Sequence, residues 1–253
     1  MRSATLFTTS FFVVIAFCAW NHHPSKGSMS SWVKLSGSDG KDICVTDKGE
    51  FYLVNTAGKF YTYEGPKWKQ QLSQLKNIKF RAANKGVSVL YMEDYWLLTD
   101  YTKLRNPDAT GKYYWDETDV AIGWDSTLWN LRSNNISYAS KFGSLTKLPG
   151  PAISRIGAGR DQVWMIDKQG KIYRLKDRIH IGMGWELMPG GDARDITVSN
   201  ENYVFMVDNK GRIYQWTGFR WDQLDGSDGL RIAANNRKLL LINTQREIYT
   251  RSY

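Results

Sequence analysis

Cysteine and histidine are nearly missing: the 253 residues contain two Cys and three His. Two Cys cannot make a disulfide scaffold, and three His leave little room for a zinc module or a histidine-based nucleophile set. Proline is scarce too, at six, and 23% charged residues stand beside a 42% hydrophobic fraction, which excludes a disordered or collagen-like chain. No stretch keeps a helical period. Glycine is plentiful, with 22, and aromatic residues make up 14%, including eleven Trp. Such a composition calls for a β core or an aromatic binding surface. Lys and Arg outnumber Asp and Glu by 34 to 25, and the formal charge of +9 favours anionic partners such as acidic glycans or microbial surfaces.

A long apolar run is also absent. Residues 6–20 are mostly apolar behind Met1-Arg2, but the run is shorter than the roughly 20 residues that cross a bilayer. Ala16, Cys18 and Ala19 stand where a signal peptidase reads. Residues 1–20 are therefore expected to be a cleaved secretory signal, residues 21–31 a polar tether, and the product secreted without stable membrane insertion. Cleavage leaves Cys44 as the remaining cysteine, and its strand-like setting Ile43-Cys44-Val45 predicts a buried, inert thiol.

Self-similarity supplies the architecture. Asp42-Ile43-Cys44-Val45, Asp119-Val120-Ala121-Ile122 and Asp195-Ile196-Thr197-Val198 each set an acid before alternating apolar positions. Arg81-Ala82-Ala83, Arg155-Ile156-Gly157-Ala158 and Arg231-Ile232-Ala233-Ala234 are weaker copies. Their anchors, at 43, 81, 120, 156, 196 and 232, recur about every 38 residues. Within a copy a second strand follows, then a polar turn with Gly, then a third strand such as Ile172-Tyr173 or Ile213-Tyr214, then a Trp that opens a fourth. Gly in these turns accepts the positive φ that hairpins need. Four short strands per period of about 40 predict an all-β chain, a six-bladed β-propeller of four-stranded antiparallel blades over residues 32–253. The chain opens with a lone fourth strand at residues 32–35 and stops after a third. That opening strand is expected to complete the last blade and close the ring.

The consensus Trp-x-x-Leu-x-Gly, Asp-Ile-x-Val, Val-Trp-x-x-Asp and Gly-x-Ile-Tyr-x-Trp resembles the tectonin repeat of tachylectin-like and fish-egg lectins and of slime-mould and fungal tectonins. The fourth and fifth copies carry it best, through Leu148-Pro149-Gly150 to Tyr173 and Trp185 to Trp216. The resemblance runs over residues 32–253. It implies a six-bladed propeller and recognition of carbohydrate or lipopolysaccharide, often in innate defence. Two copies depart from the pattern: the second has Tyr95-Trp96 in place of Ile-Tyr, and the third has Asn134-Asn135 in place of the turn Gly.

The recurrent Trp32, Trp68, Trp185 and Trp221 suit blade-on-blade packing, and the acids Asp42, Asp119 and Asp195 suit a turn hydrogen bond that holds each blade. A saccharide needs an aromatic face beside a charged or hydroxylic partner. That requirement selects Trp164, Lys171 and Tyr173 in the fourth copy and Arg212, Tyr214 and Trp216 in the fifth as saccharide-binding residues. The bases could equally be solvated edge charges. Asn135-Ile136-Ser137 is an acceptor sequon for glycosylation. No metal or other cofactor is called for, and no nucleic-acid motif appears. The expected function is a secreted, non-catalytic lectin with repeated weak sites. The alternative is a protein-binding propeller scaffold.

Overall fold

The computed structural model describes residues 29–253 except 47, 72–78, 85–86, 92–94, 100–102, 106–116, 124–126, 133–136, 142–143, 178–183, 227 and 236, with side chains described outside 72–118, 128, 130 and 132–145. The described residues form 24 strands and no helix. They group into four-stranded antiparallel sheets, six among the described residues. Strand β1 (Val33–Lys34) stands apart at the start. Sheet I then takes β2 (Gly40–Val45), β3 (Phe51–Asn55), β4 (Phe60–Glu64) and β5 (Lys67–Gln71). Sheet II takes β6 (Lys79–Asn84), β7 (Val87–Tyr91), β8 (Tyr95–Thr99) and β9 (Lys103–Arg105), and sheet III takes β10 (Glu117–Ile122), β11 (Leu128–Arg132), β12 (Ser137–Lys141) and β13 (Ser144–Lys147). Sheet IV consists of β14 (Ile153–Ala158), β15 (Val163–Asp167), β16 (Ile172–Leu175) and β17 (Trp185–Leu187), and sheet V of β18 (Ala193–Val198), β19 (Val204–Asp208), β20 (Ile213–Trp216) and β21 (Trp221–Gln223). Sheet VI has β22 (Gly229–Ala234), β23 (Lys238–Asn243) and β24 (Ile248–Ser252), and its fourth strand is β1. Val33 lies opposite Thr250 and Lys34 opposite Tyr249.

Burial falls from the first two strands of a sheet to the fourth, and the sequence follows it. The second strands β15 and β19 are buried along their whole length, which is why Val-Trp-Met-Ile and Val-Phe-Met-Val are continuously apolar rather than alternating. Outer strands such as β5 alternate half-buried Trp68 with exposed lysines. The sheets stack face to face. Trp164 and Ile166 of sheet IV share a core with Ile196, Val204 and Met206 of sheet V. Phe205 and Val207 of sheet V share another with Ile232, Leu239 and Leu241 of sheet VI, and Leu240 and Ile242 of sheet VI a third with Ile43 and Leu53 of sheet I. Each first strand lies against the first strand of the next sheet, and β22 lies against β2.

Every first strand carries a register shift against its second strand. In five of the sheets the extra residue directly precedes the repeated charged position, and in sheet II it falls at Ala82, after Arg81. An extra residue bends the strand and sharpens its twist, which re-aims the side chain that follows. The charged residue alternates around the molecule: Asp42, Arg81, Asp119, Arg155, Asp195, Arg231. The sequence pattern has each acid close a turn within its own blade. Asp42 Oδ1 accepts locally from Ile43 N–H at 3.1 Å, but Asp119 and Asp195 reach the next sheet: Ile156 N–H donates to Asp119 Oδ2 at 2.9 Å, and Ile232 N–H to Asp195 Oδ2 at 2.9 Å. Arg155 Nε of sheet IV stands 3.5 Å from the other oxygen of Asp195. The bulge accounts for the difference, because it turns the carboxylate off its own ladder and onto the neighbour's free N–H.

The fourth-strand tryptophans are spacers between sheets. A Cβ on Gly190 would meet Trp221 at 2.9 Å, one on Gly226 would meet Trp32 at 2.7 Å, and one on Gly150 would meet Trp185 at 2.7 Å. These glycines end the preceding fourth strand, so the Trp-x-x-Leu-x-Gly spacing gives each indole a seat on the sheet before it. Indole N–H groups of Trp32, Trp68 and Trp221 donate to the carbonyls of Asp225, Ser36 and Pro189. Cys44 is buried, as its strand setting predicts.

Candidate functional site

In sheets IV and V the second-to-third-strand turns build a polar cluster from the same parts. In sheet IV the Asp167 Oδ1 accepts the N–H groups of Gln169 and Lys171, both at 2.8 Å, while Oδ2 accepts the Tyr173 hydroxyl at 3.1 Å. Gly170, at φ +79°, lets the chain reverse there. In sheet V, Asp208 Oδ1 accepts from Lys210 and Arg212 N–H, and Arg212 Nε donates to Oδ2 at 2.7 Å. The Arg212 guanidinium lies 5.7 Å from the Tyr214 ring centre. Burial, together with the neighbouring aspartate, pushes both the Tyr173 and the Tyr214 phenols up. Both stay protonated donors at neutral pH.

Sheets I and VI replace the turn acid by Asn. Asn55 Oδ1 accepts from Lys59 N–H and Asn243 Oδ1 from Glu247 N–H, each at 2.8 Å. Sheet VI also reverses the charge of the following residue. Glu247 accepts from Lys34 Nζ at 2.5 Å, from Tyr249 at 2.8 Å and from Asn243 Nδ2 at 3.0 Å. Lys34 first, then Tyr249 and Asn243, hold the Glu247 carboxyl down at about 2. There the turn cluster fastens β1 instead of facing outward.

The tryptophans named from the sequence take up different positions. Trp164 is fully enclosed, at 0% exposure, and its indole N–H donates to Gln162 Oε1 at 2.8 Å. Strand register puts it on the face opposite Tyr173, since Trp164 pairs with Arg174 and Met165 with Tyr173. Lys171 and Tyr173 therefore do not meet Trp164. It packs instead under half-buried Trp216 and Trp221 of sheet V, at 5.6 and 5.8 Å between ring centres. It is a floor for those rings and offers no open face of its own. Tyr214 and Trp216 share β20 and one of its faces, and Arg212 directly precedes that strand. Asp167 and Asp208 open the turns and hold the base and the tyrosine beside one another. Their signal is the Asp-x-x-Gly turn followed three positions later by Tyr. Asn135 and residues 1–28 lie outside the described residues.

First strands from five sheets line a narrow cavity of about 40 Å³, among them Cys44, Val120, Ile156, Thr197 and Ile232. That volume admits water but no sugar ring.

Residues 152–253 match the family model of the Tectonin domain. Over that stretch the repeats are similar to those of the Tectonin domain. The match takes in sheets IV, V and β22–β24, and the same strand order and bulge recur in the sheets before residue 152. No curated protein matches the chain. Among solved structures, YCF48 from Cyanidioschyzon merolae is 12% identical, with 88% of this chain and 99% of that chain covered at a TM-score of 0.60. A regucalcin from Agrobacterium tumefaciens, described as a calcium-binding protein, is 13% identical over 87% of this chain and 90% of its own, also at 0.60. A protein of unknown function from Bacteroides thetaiotaomicron is 10% identical over 88% and 72%, at 0.64. At such identities this chain shares their β-propeller fold and nothing finer.

Proposed function

We propose that this chain is a secreted, non-catalytic lectin that recognises glycans or lipopolysaccharide on cell or microbial surfaces. In this reading the six sheets are the blades of one ring, and β1 brings the start of the chain to the last blade. The contact of β22 with β2 and the Trp32 indole on Gly226 support it. One observation carries the function: a base, a tyrosine hydroxyl and a buried aspartate are assembled in the same order at the turns of two adjacent sheets, with half-buried Trp216 two residues beyond Tyr214. Hydroxyl donors, a cation and an aromatic edge are the groups a charged saccharide uses. Each site alone is weak, roughly millimolar to micromolar, and attachment to a repetitive surface comes from several at once. The tectonin family is generally non-catalytic, which agrees with repeated acids engaged in holding turns and sheets.

The test is binding of the purified protein to immobilised lipopolysaccharide and to a glycan array across a salt series. Lys171→Ala with Arg212→Ala is expected to weaken binding to anionic surfaces several-fold and to flatten its salt dependence at unchanged melting temperature. Unchanged affinity and salt slope would make these bases solvated edge charges. A protein-binding scaffold is the second reading, favoured by one observation: YCF48, whose fold this chain shares, has been solved bound to D1 peptide. Silence on every glycan together with retention of one partner protein would decide for it.

A further inference from the structure

The fourth-strand tryptophan has one in-register neighbour on the third strand, and that neighbour differs between sheets. It is Tyr63 for Trp68 in sheet I, Trp216 for Trp221 in sheet V, and Leu175 for Trp185 in sheet IV. In sheet VI, Arg251 lies over Trp32 at 5.1 Å. Leu175 and Arg251 are buried, at 6% and 3% exposure, while both members of the two aromatic pairs are half-buried.

The two aromatic pairs have nearly the same geometry. Tyr63 and Trp68 stand 5.0 Å apart at 57°, and Trp216 and Trp221 stand 5.2 Å apart at 58°. A third ring supports each pair: Phe51 at 5.8 Å from Tyr63, and Trp164 at 5.6 Å from Trp216. Each indole is pinned by its N–H, to the Ser36 carbonyl at 2.8 Å or the Pro189 carbonyl at 2.9 Å, so ring orientation is set before any ligand arrives. Each pair also has a surface ion pair built from its immediate sequence neighbours. Lys69 meets Glu64 at 3.3 Å beside the first, and Arg220 meets Asp222 at 2.8 Å beside the second. The ion pairs do not set these two sheets apart, since Arg174 meets Glu186 at 2.7 Å beside Trp185 in sheet IV, and strand alternation puts such charges on the face opposite the rings. The second aromatic ring does, since sheet IV stacks with Leu175 in the same place.

We propose that these two platforms, on sheets I and V, are equivalent saccharide subsites. The apolar C–H face of a pyranose ring lies on the tilted aromatic pair, and its hydroxyls stay in water. The inference rests on the lectin reading and places the sugar ring at the outer strands, apart from the turn bases that attract negative charge. Sheet IV, with Leu175, has no such platform, so only the turn cluster of that sheet contributes to attachment.

Binding to immobilised mannan and to lipopolysaccharide at about 0.5 M salt, where attraction by the turn bases is screened, tests the assignment. Tyr63→Leu and Trp216→Leu install the residue that sheet IV already carries. Each is expected to weaken binding at least threefold, and the two together at least tenfold, whereas Trp216→Tyr stays within about threefold and Leu175→Ala is unchanged. Trp216 also packs on Trp164, so melting temperature is followed for every variant, and Trp216→Tyr, which keeps an aromatic face, serves as the second variant. Wild-type binding retained by the Tyr63→Leu, Trp216→Leu double variant, or a loss in Trp216→Tyr as large as in Trp216→Leu at unchanged melting temperature, overturns the placement and leaves the lectin reading standing. A wild-type protein that binds neither surface at any salt concentration overturns both.

Discussion

At the scale of single residues, one carboxylate can serve as turn cap, counter-ion and strap. Asp167 and Asp208 each bond two backbone N–H groups and one side chain, which fixes both carboxylates in place. Glu247 does the same work at the surface, and its titration is exposed to measurement. Its folded value, about 2, lies below the ordinary 4.5, so the stabilisation is complete above pH 4.5 and is lost as pH falls toward 2. Lys34 stays charged throughout that window. We expect wild-type melting temperature to fall over pH 5 to 2, and Glu247→Gln to start lower at pH 7 but fall less steeply. Equal slopes for the two proteins would mean that the Lys34–Glu247 contact contributes nothing to holding β1.

At the scale of strands and sheets, the bulged first strand is the unit of assembly. Its repeated charged residue alternates between Asp and Arg, and Asp195 shows what the alternation does: it ties β14, β18 and β22 through one buried carboxylate. A carboxylate at 0% exposure is tolerated only because an N–H and a guanidinium answer it. Asp195→Ala leaves the Ile232 N–H and the Arg155 charge without that partner, and is expected to cost about 3–5 kcal/mol in urea unfolding. Asp195→Asn keeps an acceptor for Ile232 but drops the charge, and should cost less. An Asp195→Ala protein within about 1 kcal/mol of wild type would show that neighbouring sheets do not depend on this bridge. The fourth-strand Trp on its Gly is the complementary device at the rim, where shape rather than charge sets the spacing between sheets.

At the scale of the whole molecule, the outer strand of sheet VI comes from the opposite end of the described chain. β1 is only Val33–Lys34, yet it is flanked by contacts of several kinds. The Trp32 indole bonds Asp225 and lies under the Arg251 guanidinium, Arg251 Nη1 pairs with Asp225 at 2.5 Å, and Ser30 and Ser252 exchange hydrogen bonds. Removing residues through Leu35 strips all of these but the Arg251–Asp225 pair and opens a sheet edge at β24. The truncated protein is expected to melt several degrees lower and to self-associate in sedimentation. A monomer with wild-type melting temperature would sink the proposal that β1 closes a ring.

Much of this architecture is legible in the amino-acid sequence by itself, because the information is periodic. A recurring charged residue, apolar run, turn Gly and Trp specify strand, turn and repeat length locally, and the strands fall where those signals put them. The polar half of the candidate site is legible for the same reason, since base and Tyr follow the turn Gly at fixed spacing. What the sequence could not determine depends on the neighbouring sheet. Trp164 and Tyr173 look like one site along the chain, but the two-residue strand period puts them on opposite faces, so each belongs to a different pair of sheets. Asp119 and Asp195 look like local caps along the chain, but the bulge turns them onto a backbone about 37 residues away. Tyr63 and Trp68 do not stand out as a pair because adjacency across a ladder is invisible in a string of residues. Local preference determines which strands exist, whereas the packing of one sheet on the next decides which side chains remain free to meet a ligand.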